Sequence, residues 1–175
     1  MKAHFTLLAR YNQWMNEQIY HAAAQLNESQ LKQDRGAFFT SILGTLNHNV
    51  VGDIIWLKRF ANHPEAKQVL QGVHAFPQPT ALDELLFTER QSCQQARQRL
   101  DELIINLIDE LSDDALNGLL TYSNMKGQQA SKAFGLLLLH FFNHQTHHRG
   151  QLTTLLSQEG LDTGITDLLA LIPSH

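Results

Sequence analysis

The chain has 175 residues, 43% apolar and 17% charged, with net charge −4, ten histidines and one cysteine. This suits one globular domain over residues 1–175, long enough to bury around 70% of the surface its unfolded form exposes. It excludes an internal disulfide, since Cys93 has no partner. It also gives no basic patch beyond pairs such as Lys58-Arg59, and no apolar run near the ~20 residues that span a bilayer.

Four segments carry helical spacing. In the first, Phe5, Leu8, Tyr11, Met15, Ile19, Ala22, Ala23 and Leu26 recur at three- and four-residue steps, and Asn27 with Ser29 closes it. Arg10 and its polar neighbours interrupt any apolar start, so this opening does not read as a signal peptide, and a cytoplasmic location is expected. The second segment runs roughly from Phe39 to Ala61, with Ile42, Leu43, Leu46, Val50, Ile54 and Leu57 as its apolar rows. His63-Pro64 stops it, because the residue before proline is pushed out of helical geometry.

A loose stretch from Glu65 to Pro79 follows. The third helix is expected from Thr80 as N-cap, with Asp83 at N3, through Leu86, Ala96, Leu100, Leu103, Ile104 and Leu107 to about Leu111. Ser112 to Ser131 holds two glycines and alternates around Leu119 to Tyr122, the pattern of a short hairpin. The fourth helix is expected from Ser131 to Gln158, with Gly160 at the C′ position. The reading is all-α: a four-helix bundle with a short hairpin between its third and fourth helices, its linkers long enough for an overhand crossing.

The fourth segment contains HFFNHQTHHRG, four histidines in nine positions from His140 to His148. At about 100° per residue, with His140 at zero, the apolar stripe of Leu137, Leu138, Phe141, Leu152, Leu155 and Leu156 spans about 60° to 160°. His148 falls inside that stripe near about 80° and His144 at its edge near about 40°, whereas His147 and His140 lie further out. His144 and His148 form an H-x-x-x-H pair on one face, a spacing that lets two imidazoles bind one metal ion. Core histidines bonded to carbonyls have the same spacing, so this pair alone does not decide.

A third ligand would have to come from His4, His21, His48, His63, His74 or His175. Only His48 sits mid-helix near apolar rows, and those rows lie mostly further round. The zincin glutamate is missing, since Gln145 follows His144. The Glu-x-x-His motif of di-iron bundles occurs nowhere.

Four stretches resemble the DinB-like (YfiT-like) superfamily. YNQWMNEQIYHAAAQL (Tyr11 to Leu26) is similar to its first helix and SILGTLNHNVVGDIIWLKR (Ser41 to Arg59) to its second. HFFNHQTHHRGQLTTLLSQEG (His140 to Gly160) is similar to its last bundle helix, and TDLLALIP (Thr166 to Pro173) to its tail. The resemblance implies a DinB/YfiT-like bundle in which His48, His144 and His148 bind one divalent metal ion, zinc or nickel, with His140 and His147 left out. It also implies a homodimer, for which the second helix has apolar rows to spare; the charge balance and the short apolar runs predict no nucleic-acid or membrane partner.

The resemblance further implies a metal-dependent enzyme that activates a small thiol or water, as a thiol-dependent transferase or a hydrolase. A non-catalytic metal-binding stress-response module uses the same three ligands, and an interaction scaffold would use none of them. Beyond the ligands no catalytic residue is assigned. Arg149 is expected to anchor a structural carboxylate such as Asp167, Gln151 to face either pocket or solvent, Tyr11 and Trp14 to serve as core aromatics, and Cys93 to be a packing residue.

Overall fold

The computed structural model describes residues 1–174, so His175 lies outside the described residues. Its elements are α1 (Lys2–Ala23), α2 (Glu28–Lys32), α3 (Ile42–Phe60), α4 (Pro64–Lys67), a 3₁₀ turn (Gln71–Ala75), α5 (Arg90–Glu110), α6 (Asp113–Asn117), strands β1 (Leu119–Ser123) and β2 (Gln129–Ala133), α7 (Phe134–Gln158) and a closing 3₁₀ turn (Leu168–Leu171). The long helices α1, α3, α5 and α7 form the bundle. α1 packs on α5 and α7, and α3 packs on the same two, which leaves α1 diagonal to α3 and α5 diagonal to α7.

Side-chain pairs give the directions. Tyr20 meets Cys93 and Asn12 meets Asp101, so α1 and α5 are antiparallel. Phe60 meets Phe134 and His48 meets His148, so α3 and α7 are antiparallel too. Phe5 stacks on Phe142 and Asn12 binds Arg149, so α1 and α7 run parallel. The two diagonal connections make this the overhand arrangement that the linker lengths allowed.

Local chemistry sets most boundaries. Asn27 caps α2 with Gln30 in a capping box, so the residues that close α1 also open the next helix. Ser41 caps α3 by accepting from Gly44 N at 3.0 Å, and α3 therefore begins at Ile42 rather than Phe39. A Cβ at Gly44 would lie 2.1 Å from the Phe39 carbonyl oxygen, so only glycine admits the preceding turn. Gly160, at φ +75°, follows α7 in the left-handed conformation glycine tolerates.

Two expected starts are corrected. The third bundle helix begins at Arg90, ten residues after Thr80. The Glu84 carboxylate accepts from Thr80 N and Oγ1 and from Ala81 N, which closes a loop turn in place of an N-cap. The fourth begins at Phe134, because Ser131 is held in the hairpin opposite Thr121. The spare apolar rows expected on the second helix are also absent. Ile42, Leu43, Leu46, Val50, Ile54 and Leu57 are all at most 1% exposed, taken up by the core between α1, α5 and α7.

No helix among the described residues is long and apolar enough to cross a membrane. Exposed apolar side chains include Leu136 and Leu139 on α7, Phe38, Leu82 and Leu85 in the loops, and Ile165, Leu169 and Ile172 in the tail.

Candidate metal centre

α3 and α7 cross so that His48, His144 and His148 converge. The His48 Nε2 lies 3.2 Å from His144 Nε2 and 3.1 Å from His148 Nε2. Their ligating atoms all fall within 4.8 Å of one another, an arrangement that could hold a metal ion. Two nitrogens bound tetrahedrally at zinc distances stand about 3.3 Å apart, close to this spacing.

Outer contacts decide where the ring protons sit. His48 Nδ1 is 2.7 Å from the Leu82 carbonyl, which can only accept, so Nδ1 carries the hydrogen and Nε2 presents a lone pair. His148 Nδ1 donates to Gln151 Oε1 at 2.7 Å with the same result. Burial pushes the pKa of all three imidazoles down, that of His144 to about 3, so the rings are neutral at pH 7. Two neutral rings thus face each other at 3.1 Å with lone pairs and no proton between them. A cation is the group that satisfies such a pair.

The surrounding packing holds this geometry. Phe39 stacks on His48 with centroids 3.8 Å apart and planes 16° from parallel. Its turn is tight: Thr40 N donates to the Ala37 carbonyl, and Thr40 is the one non-glycine described residue at positive φ, 61°. On the other side a Cβ at Gly52 would lie 2.9 Å from His144 Cε1, so the helix leaves out a side chain where the ring must pass. A mid-helix glycine costs about 1 kcal/mol relative to alanine, and here it admits the imidazole.

The centre lies at the floor of an open cavity of about 630 Å³, lined by Phe38, Phe39, Leu82, Asp83, His147 and Gln151 besides the three histidines. The Leu82 loop is pinned to α3 by Asn47, whose side chain donates to the Phe87 carbonyl at 2.9 Å and accepts from Phe87 N at 2.8 Å.

The remaining candidates lie elsewhere. His140 is exposed beside Trp56, with ring centroids 5.2 Å apart, and His147 is exposed at the cavity mouth. His63 accepts from Glu65 N as the cap of α4, while His4, His21 and His74 are exposed. Tyr11 is buried and donates to the Thr166 carbonyl at 2.6 Å, Trp14 packs half-buried against the core, and Cys93 is buried beside Tyr20.

Arg149 does not reach Asp167, which is exposed in the tail. It turns inward, donates to Asn12 Oδ1 and, at 3.2 Å, to Thr146 Oγ1, and its guanidinium lies 5.3 Å from the Tyr11 ring centroid.

Sequence reasoning missed the polar layer that Arg149 joins. Arg97 of α5 donates to Asp53 of α3 at 2.5 Å and pairs with Asp101 at 3.0 Å. Asn12 and Asn16 of α1 donate to Asp101 at 3.0 and 2.9 Å, and Gln145 of α7 donates to Asp53. All are buried. Burial raises the Asp53 carboxyl to about 6 against the pull of Arg97, and raises Asp101 as well. The legible signal was three polar i, i+4 pairs set among apolar rows: Asn12/Asn16, Arg97/Asp101 and Gln145/Arg149.

Known proteins place this geometry in context. Protein DinB of Bacillus subtilis (strain 168) is 27% identical over 160 residues, covering 91% of this chain and 88% of its own. The crystal structure of a DinB-like protein from Bacillus cereus ATCC 10987 matches 87% of this chain and 90% of that one, with a TM-score of 0.54 at 20% identity, a likeness of fold. The sequence model of the DinB family matches residues 1–174, and the chain therefore belongs to the DinB family.

Proposed function

We propose that His48, His144 and His148 hold one divalent metal ion, zinc or nickel, and that the protein is a metal-dependent enzyme acting on a small molecule. The observation that carries this reading is the 3.1 Å approach of two Nε2 atoms, each with its proton on the opposite ring nitrogen. Imidazole suits both metals. Three neutral ligands leave an open coordination position, as in catalytic rather than structural zinc sites. A metal bound there supplies Lewis acidity that lowers the pKa of a small thiol or a water.

The protein's own residues do the rest. The Leu82 carbonyl and Gln151 orient two of the rings and keep their Nε2 lone pairs free. Phe39 shields the His48 face from water. The open cavity favours small-molecule chemistry over a closed structural ion.

We extend the proposal to a homodimer in the cytoplasm. The exposed Leu136 and Leu139 on α7 are apolar surface for a second copy, and a single buried, unpaired Cys93 suits a reducing compartment. Sedimentation of a Leu136→Lys/Leu139→Lys variant tests the dimer, with a monomer as the expected result.

The metal reading is tested by metal content, measured by mass spectrometry on untagged protein beside a His48→Ala/His144→Ala/His148→Ala variant. One ion per chain, lost in the variant while helicity is kept, supports it. No ion in the native protein after incubation with zinc or nickel overturns it.

A further inference from the structure

The cavity above the three histidines says something about what enters it. Two of its walls come from turns outside the bundle helices. One is the turn carrying Phe38 and Phe39, and the other is the loop carrying Leu82 and Asp83. Phe38 is 87% exposed and Leu82 53% exposed, large apolar groups held in water at the rim of a pocket rather than packed in the core. Phe38 is not a loose end, because its ring meets Phe39 edge-on at 4.8 Å and Phe39 in turn stacks on His48. The apolar wall is thus continuous with the histidine cluster.

A second concavity, of about 440 Å³, shares Phe38, His147 and Gln151 with the first and runs on along α7 to Leu155. The two together form a groove longer than a metal site needs.

Charge is one-sided along this groove. No lysine or arginine lines either concavity among the described residues, and the one carboxylate is that of the exposed Asp83. Arg35, on the same turn as Phe38, is turned away and committed to Glu159 and the Gln30 carbonyl. Lys58 is likewise committed, to the Phe76 and Pro77 carbonyls. An anionic tail would therefore meet a carboxylate and no cation, while an apolar tail would meet Phe38, Phe39 and Leu82.

Resting on the metal reading above, we propose that this groove selects small ligands with a metal-seeking head and an uncharged or cationic apolar tail, and rejects anionic tails. Phe38 and Asp83 set the choice: Phe38 covers the apolar tail, and Asp83 attracts a positive charge and repels a negative one. Neither residue is one of the three candidate ligands, and comparing tails within one variant isolates their effect on the tail.

The test uses full-length protein loaded with cobalt(II), whose near-ultraviolet thiolate-to-metal absorption reports a bound thiol without any assay of activity. Three probes share a thiol head and differ in tail: benzyl mercaptan (neutral aromatic), cysteamine (cationic) and 2-mercaptoethanesulfonate (anionic). Benzyl mercaptan should bind about tenfold or more tighter than the sulfonate, a difference of about 1.4 kcal/mol or more. Phe38→Ser should weaken benzyl mercaptan severalfold and leave cysteamine unchanged. Asp83→Asn should narrow the gap between cysteamine and the sulfonate severalfold, most clearly at low salt.

Both substitutions are at exposed positions, so the fold is not at stake. A cobalt protein that binds all three thiols equally, or the sulfonate most tightly, overturns this inference alone. A protein that takes up no cobalt overturns the metal reading and this inference with it.

Discussion

Two polar clusters share α3 and α7 and differ in one respect. The layer of Asp53, Arg97, Asp101, Asn12, Asn16, Gln145 and Arg149 pairs opposite groups within the chain, each bundle helix contributing at least one partner, while Arg97 Nε, Gln145 Oε1 and Arg149 Nε are left without a hydrogen bond. The histidine cluster, one residue away at Gln145 and Arg149, holds two lone pairs, of His48 and His148, that face each other. A polar cluster paired from within braces a fold. One whose members share the same polarity needs something from outside. α7 makes both at once, because consecutive residues point about 100° apart, sending His144 and His148 to the rim and Gln145 and Arg149 to the interior.

The sharpest way to break this contrast is at the layer. Asp53→Ala leaves Arg97 buried with one carboxylate in place of two, and should cost about 3–5 kcal/mol of stability in urea unfolding. If the cost is under about 1 kcal/mol, the layer does not brace the bundle. At the rim the expected cost is to binding rather than folding. Gln151→Leu removes the acceptor that orients His148, and should weaken zinc about 10- to 100-fold in a competition titration with the melting temperature nearly unchanged.

Gly52→Ala separates the two effects in one residue. The methyl group displaces the His144 ring, so metal affinity should fall, while the better helix former offsets part of the strain and stability moves by about 1 kcal/mol or less. A Gly52→Ala protein that binds metal normally would mean that His144 is not needed in its observed position.

The smallest effect is one of pH. Asp53 titrates near about 6 in the fold against an ordinary 3.8, so between those values the folded state holds a proton that the unfolded chain has released. Its stabilising contribution is complete below the lower value and is lost as pH rises through the upper one. The native protein should therefore gain stability relative to Asp53→Asn as pH falls from 7.5 to about 5. A difference that is flat with pH would mean Arg97 holds the carboxyl ionised throughout.

The four long bundle helices, the hairpin and the ranking of the α7 histidines were legible because each is a periodic property of one segment, whereas the short α2, α4 and α6 were not read. The start of α5 was not. Thr80 followed by acidic residues reads as a cap, yet Glu84 uses the same donors to close a loop, and the choice depends on Asn47 and His48 of α3 holding Phe87 and Leu82. His48 lay in a helix whose apolar rows pointed further round, and its place beside His144 and His148 rested on resemblance until the crossing of α3 and α7 brought the rings together. Arg149 was expected to anchor a carboxylate such as Asp167 and instead donates to the Asn12 amide, because Asn12 is 137 residues distant and nothing local names it.

By itself the sequence determined a helical bundle and which face of α7 each histidine takes, since helical periodicity is local and survives without neighbours. Only the tertiary structure decided which histidines meet, which ring nitrogens keep their protons and which polar groups are already satisfied. Those depend on distances between helices that no segment encodes alone, set here by the missing side chain at Gly52 and by the diagonal placement of α1 and α3.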